Sequence, residues 1–234
     1  MDSGTRGALL DRLAGAIESV PVAHPVRVAI DGPPAAGKSS LADELAVVLC
    51  ARGRQVVRAT CDSFMFPRAV RYRRGKDSPD ACYRDSFDYQ ALRRVLLDPL
   101  GPNGDRRYQH TVYDWHADCA VAEPEQAAAE DAVLLLDGVF LQRRELIDRW
   151  ELRIYLSVSA ETMVDRGRTR DLARGEPAAE AERRFLLRYI PAQQLYLAEA
   201  RPIERADIVV YNDEIERPAW EYRDAYWLGG RARP

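Results

Sequence analysis

The chain has 234 residues, 47% of them hydrophobic and 30% charged, which is ample for a real core in one large domain or two small ones. Such ordinary usage excludes wholesale disorder, collagen and a coiled coil. The 34 basic residues are slightly outnumbered by 37 acidic ones, a net charge of −3, so there is no global basic field for nucleic acid. No apolar run approaches the ~18 residues of a membrane helix. Cys50, Cys61, Cys82 and Cys119 show no CxxC spacing, and His24, His110 and His116 make no HxxxH pair. A zinc site is therefore not expected, and a reduced cytoplasm is the expected compartment. MDSGTRGALLDRL at the N-terminus alternates charged with apolar residues and lacks a signal-peptide core. Only two of the basic residues are lysines, Lys38 and Lys76. Genome composition accounts for that bias.

In chain order, Leu9, Leu10, Leu13 and Ile17 keep helical spacing, so residues 5–19 are expected to form an amphipathic helix, broken by Pro21 and Pro25. Val26–Ile30 is a short apolar strand. Ser39–Arg52 is helical, with Gly53 just past its end. Gln55–Thr60 is a second strand. Residues 62–87 carry many arginines and tyrosines and little periodicity, the mark of a long functional loop. Tyr89–Leu97 is a helix stopped by Pro99, Gly101 and Pro102. Val133–Leu136 and Leu152–Val158 are strands, with a helix expected between them around Leu141–Arg149. Ala160–Ala173 is helical, Gly175 and Pro177 interrupt it, and residues 178–200 are helical again with a kink at Pro191. Ile208–Tyr211 is a last strand. From Glu216 the chain is an aromatic tail holding Trp220, Tyr222, Tyr226 and Trp227. Strands alternating with helices predict an α/β layered fold with a mainly parallel sheet.

Asp31-Gly32-Pro33-Pro34-Ala35-Ala36-Gly37-Lys38-Ser39-Ser40 contains GxxxxGK[ST], with a strand before it and a helix after it. The spacing follows from the chemistry. Gly32 and Gly37 let the backbone curl so that successive N–H groups converge on phosphate oxygens. The helix that begins near Lys38 adds its positive dipole end. Lys38 places a point charge between the β- and γ-phosphates, and Ser39 offers a hydroxyl to Mg²⁺. Val133-Leu134-Leu135-Leu136-Asp137-Gly138 ends a buried strand in a carboxylate suited to the magnesium side. A glycine, not a water-activating glutamate, follows Asp137, and neither NKxD nor LSGGQ occurs. The sequence thus leans from nucleotide hydrolysis towards transfer to a small acceptor. Asp62 follows the second strand, where ligands of α/β sheets bind. There it can take the proton of an attacking hydroxyl, or simply cap a turn.

Taken together, DGPPAAGKSS, CDSF, VYDW (Val112–Trp115), LLLDGVFL, DRGRTRD (Asp165–Asp171) and RYIPAQQLYLAEARPIERADIVV resemble the uridine kinase and phosphoribulokinase-like group, from about Val26 to Val210. The resemblance implies a three-layer P-loop NTPase fold: a parallel five-stranded sheet, helices on both faces, and a mobile lid around 166–178 within a single domain over 1–215, with 216–234 a C-terminal tail. It implies ATP and Mg²⁺ as cofactors, Asp62 as general base, and Asp137 at the position where the family usually has glutamate. Arg166, Arg170 and Arg174 repeat every fourth residue and so share a helix face. They would clamp a triphosphate, although the interleaved Asp165 and Asp171 also fit a salt-bridged face in solvent. For the acceptor, Asp85 in Asp85-Ser86-Phe87-Asp88 and Tyr113 are the expected binding residues. Tyr83 and Trp115 are stacking walls or core aromatics. Cys82 falls where the family has an aspartate, and His116 directly follows Trp115, two places early.

These observations predict an ATP- and Mg²⁺-dependent kinase acting on a hydroxyl of a small molecule, a nucleoside such as uridine or cytidine first. Pantothenate or a sugar on the same scaffold is the alternative acceptor. A nucleotide-binding regulatory protein without transfer is the alternative of another class. Neither nucleic acid nor membrane is an expected partner. A homo-oligomer is an expectation from the resemblance.

Overall fold

The structure is a computed structural model and describes residues 1–223. Val26–Asp31 (β2) and Val133–Gly138 (β4) are buried at all six positions, as strands at the centre of a parallel sheet covered on both faces should be. With β1 (Asp2–Ser3), β3 (Val56–Thr60), β5 (Leu152–Ser157), β6 (Ile208–Tyr211) and β7 (Ala219–Tyr222), they form a sheet of order β1-β7-β6-β5-β2-β4-β3. Strands β3, β4, β2, β5 and β6 pair in parallel, which is the expected five-stranded core. Strands β7 and β1 extend it antiparallel.

Period-2 alternation divides the strand side chains between two cores. Val28, Ile30, Val133 and Leu135 pack with α1 (Arg6–Glu18) and α2 (Lys38–Ala51), through Leu9, Leu13, Leu41 and Leu45. Ala29, Leu134 and Leu136 face the opposite core, which holds Phe64, Leu92, Phe140 and Tyr196. The layers are thus helix, sheet, helix.

Several elements depart from expectation. Residues 219–222 of the aromatic tail are a strand of the sheet: Trp220 opposes Val210 in register and is 4% exposed. Tyr226 and Trp227 lie outside the described residues. The expected helix at Leu141–Arg149 is irregular apart from a short 3₁₀ turn at Ile147–Arg149. Its side chains are committed elsewhere: Gln142 donates to Asp31, Arg143 lies over the Tyr83 and Tyr89 rings, and the Leu141 carbonyl accepts from Trp150 Nε1 at 2.8 Å. Tyr89–Leu97 is helical but widens to a π turn at Arg93–Leu97. The stretch 178–200 is likewise α4 (Ala178–Arg184), a π turn (Phe185–Tyr189) and α5 (Ile190–Ala200). The widening falls just before Pro191, whose ring and missing N–H forbid a regular α-helical bond back to the preceding turn. The loop 62–87 includes short helices at Arg68–Arg71 and Pro79–Arg84.

Candidate active site

Strand register brings the chemistry-bearing residues together. Asp137 near the end of β4 is level with Ile30 of β2, just before the glycine loop, and with Thr60 of β3, two residues before Asp62. Three adjacent parallel strands therefore deliver the loop, Asp137 and Asp62 to one edge, beyond their carboxyl ends. A cavity of about 900 Å³ opens there.

The loop's shape is enforced by its neighbours. Gly32 passes so close to β5 that a Cβ would sit 2.5 Å from the Leu156 carbonyl oxygen. Gly37 adopts φ 88°, a left-handed conformation suited to glycine, and starts α2 with Lys38. Ala35 also has positive φ, 60°. Asn212, just past β6, donates from Nδ2 to the Ala36 carbonyl at 2.8 Å and accepts from Arg6. At the loop's start, buried Asp31 accepts from its neighbour's Gly32 N–H at 2.8 Å, from Gln142, and from the Tyr196 hydroxyl of α5. Burial raises the Asp31 pKa against these hydrogen bonds. Pro34, Ala35, Gly37, Lys38, Ser39 and Ser40 line the cavity. Gly32, Pro33 and Ala36 shape the loop from behind, and the Pro33 carbonyl accepts from Lys38 Nζ at 2.7 Å. Burial lowers the Lys38 pKa, against the pull of Asp137.

Ser39 Oγ donates to Asp137 Oδ2 at 2.6 Å. Arg58 on β3 holds the other oxygen, Oδ1, at 3.0 Å. A hydroxyl and a carboxylate side by side are hard oxygen donors of the kind magnesium takes, usually one or two from protein with phosphate and water completing the set. Among the described residues no group of three or more His, Cys, Asp or Glu could hold a metal ion. Gly138 sits so close to Cys61 that a Cβ would meet its Sγ at 2.4 Å. Any larger side chain there would have to displace Cys61.

Asp62 lies in a 3₁₀ turn, Cys61–Phe64, capped by Thr60 Oγ1, and lines the cavity with Lys38 and Asp137. Its pKa is raised, chiefly by burial and further by Asp137, with Lys38 opposing. A carboxylate with a raised pKa is a stronger proton acceptor than a solvated one.

Arg166, Arg170 and Arg174 line the cavity from α3 (Ala160–Ala173) and its end, as the four-residue spacing requires. Arg168, off that face, is not among the lining residues and is 3.9 Å from Asp165. Asp171 is buried rather than solvated: it accepts from Arg170 at 2.9 Å and from Arg184 at 2.8 Å. Arg166 donates to the carbonyls of Asn212 and Asp213, and its buried Nη1 has no partner. An orphaned guanidinium nitrogen among phosphate-loop residues fits an anionic oxygen. Gly175, φ 84°, ends the helix. At Gly167 a Cβ would clash with Phe185, so α3 lies tight against the π turn.

The expected acceptor residues divide. Trp115 lines the cavity; Asp85, Tyr83 and Tyr113 do not. Asp85 is locked in ion pairs with Arg73 at 3.1 Å and Arg74 at 2.8 Å. Tyr83 is a core aromatic, edge-on to Phe140 with Arg143 over its ring. Tyr113 donates to Asp118 at 2.7 Å, and Asp118 accepts the Arg68 N–H and faces Arg71 at 3.6 Å. Asp85 and Tyr113 therefore pin the loop around 68–76 rather than reach a ligand. Among the cavity residues that sequence reasoning missed are Arg68, Arg71, Tyr72, Arg184, Arg188 and Tyr189. The arginine-rich composition of the loop was the one available signal.

No family model and no curated protein matches the chain. Solved structures do. A possible uridine kinase from Bacillus stearothermophilus superposes with a TM-score of 0.68 at 24% identity, over 87% of this chain and 97% of that one. A candidate fructose transport system kinase from Silicibacter sp. gives 0.66 at 25% identity, over 87% and 95%. D-glycerate 3-kinase from Cryptococcus neoformans gives 0.66 at 14% identity, over 92% and 99%. A mostly parallel sheet between helix layers, a glycine loop at its carboxyl edge and these neighbours agree: the chain has the fold of the uridine kinase-like and related P-loop kinases.

Proposed function

We propose that the chain transfers the γ-phosphoryl group of ATP to a hydroxyl of a small molecule. The observation that carries this is the convergence of Lys38, Ser39, Asp137 and Asp62 on one cavity, under a row of arginines. Asp62 takes the acceptor's hydroxyl proton as the oxygen bonds to the γ-phosphorus and the bond to the departing ADP oxygen breaks. Lys38, Arg166, Arg170 and Arg174 balance the phosphate charge, most of the effect coming from positioning and electrostatics. Ser39 and Asp137 would hold magnesium, which neutralises phosphate charge. Structural neighbours described as kinases of a nucleoside, a sugar and glycerate support transfer to a hydroxyl without selecting among acceptors. Three of the four residues expected to bind the acceptor do not line the cavity, which moves the acceptor site without selecting among acceptors.

The test is ADP release from Mg·ATP with hydroxyl acceptors, against a no-acceptor control. Asp62→Asn is expected to retain ATP binding and lose turnover by about 10²–10⁴-fold. Full turnover in that variant would remove Asp62 as the base. Tight ATP binding with no acceptor-dependent ADP from the wild type would leave a regulatory protein instead.

A further inference from the structure

The cavity is far more cationic than a nucleotide alone requires. Nine lysines and arginines line it against three carboxylates, Asp62, Asp137 and Glu176. Four of the cations, Lys38, Arg166, Arg170 and Arg174, belong to the phosphate loop and the α3 row. Arg184 is neutralised by Glu176 and Asp171, and Lys76 reaches out to Glu180 at 2.8 Å. Arg68, Arg71 and Arg188 remain.

Arg188 is the decisive one. It is 5% exposed and lines the cavity from the π turn. Its hydrogen bonds go to the backbone carbonyls of Lys76 and Ser78, at 2.8 and 3.3 Å. No carboxylate lies within ion-pair distance of it among the described residues. Two other buried arginines, away from the cavity, each have a glutamate: Arg27 with Glu151 at 2.7 Å and Arg143 with Glu145 at 2.9 Å. Arg71, 6% exposed, is bonded to the Phe66 carbonyl, with Asp118 only at 3.6 Å. Both guanidinium groups lie over the Tyr72 ring, at 5.6 Å for Arg71 and 5.0 Å for Arg188. That ring holds the two like charges in one place. The Arg68 guanidinium makes no hydrogen bond or ion pair among the described residues. A buried charge without a counter-charge is strongly disfavoured, and Arg188, buried with no carboxylate partner, lines the cavity.

We infer that the acceptor is a hydroxylated anion whose carboxylate or phosphate ester is bound by Arg188 and Arg71 while its hydroxyl faces Asp62. This rests on the kinase reading. Carboxylate and phosphate share the recognition chemistry, since both present paired oxygens to a guanidinium fork. A neutral nucleoside would leave Arg188 without a counter-charge and Arg71 with Asp118 alone, at 3.6 Å.

The experiment uses matched acceptors with Mg·ATP: glycerate and glycerol, pantothenate and pantothenyl alcohol, ribulose 5-phosphate and ribulose, with uridine as a further neutral acceptor. Binding of each to the Mg·ADP-loaded protein is measured by calorimetry alongside turnover. Carboxylate and phosphate arms show which anion is taken. The expected result is an anionic member preferred by at least ~10²-fold over its neutral partner, with that preference erased in Arg188→Gln through KM of the acceptor, the KM of Mg·ATP unchanged. Glutamine keeps a donor for the two carbonyls. Arg71→Gln, checked by thermal unfolding, is the second variant should Arg188→Gln fail to fold. Equal or better use of neutral partners, or an equal loss on both in the variants, would overturn the inference and leave the kinase reading intact. Arginine-dependent anion binding with no ADP release would do the reverse. No binding and no turnover of any anionic member would overturn the anion site.

Discussion

Asp62 carries the sharpest consequences at the scale of single residues. Its raised pKa has burial as the first cause, so it titrates above the usual ~4 of an aspartate. The acid limb of kcat/KM should lie correspondingly high and disappear in Asp62→Asn, as a pH–rate profile would show. The same shift bears on stability. A carboxyl whose folded pKa exceeds its unfolded one binds more protons when folded, so ionising it destabilises the fold as pH rises through that interval. Asp62→Asn is thus expected to melt no lower than wild type at pH 7, with the difference closing below pH ~4; a clearly lower Tm at neutral pH would contradict it. Gly138 is a second point of strain. Gly138→Ala forces its methyl against Cys61 and should cost about 1–3 kcal/mol in urea unfolding. Lys38, Ser39, Asp62 and Asp137 were legible because each depends on a short local pattern at a strand end. Arg71 and Arg188 were not, because nothing local says that residues more than a hundred positions apart share a ring.

The arginine row is the element whose behaviour follows most directly from helix geometry. Four-residue spacing turned Arg166, Arg170 and Arg174 to the cavity and left Arg168 off it, and that much was written in the sequence. Burial of Asp171 was not, because alternating charge fits a solvated face equally well until the partner helix is known. Asp171 fixes Arg170 and, across the turn, Arg184. Asp171→Asn is expected to raise the KM of Mg·ATP by about tenfold, the loss of one charge-assisted hydrogen bond, while Arg168→Ala leaves kinetics near wild type. Steady-state rates on both variants check this, and equal effects would mean that the row acts only through its bulk charge. The π turn before Pro191 was half legible: proline announced a break, and the break takes the form of a π turn at Phe185–Tyr189.

At the scale of the whole molecule, strand order does the assembling. The central parallel strands could be read from their short apolar stretches; the division of their side chains between two cores came only with the structure. The antiparallel edge could not, because Ala-Trp-Glu-Tyr is too short to show a period and its partner β6 is equally short. Trp220, 4% exposed, nonetheless closes the core beside α1. Trp220→Ala should destabilise by about 3–5 kcal/mol, measured by denaturant unfolding with the phosphate loop untouched. A chain ending at Glu216 would lose β7 and is expected to unfold at lower denaturant still. Such a chain loses Trp220 and the pairing of β7 with both β6 and β1.

The scarcity of lysine has a practical side. Both side-chain amines of this chain, Lys38 and Lys76, line the same cavity. Apart from the α-amino group, an amine-directed acylating reagent therefore has targets in the ligand site alone. Mass spectrometry after such labelling would read Lys38 as a reporter shielded by nucleotide, with Lys76, whose amine is paired with Glu180, as the reference at the cavity rim. Occupancy of the nucleotide side of the site could be followed with no engineered probe.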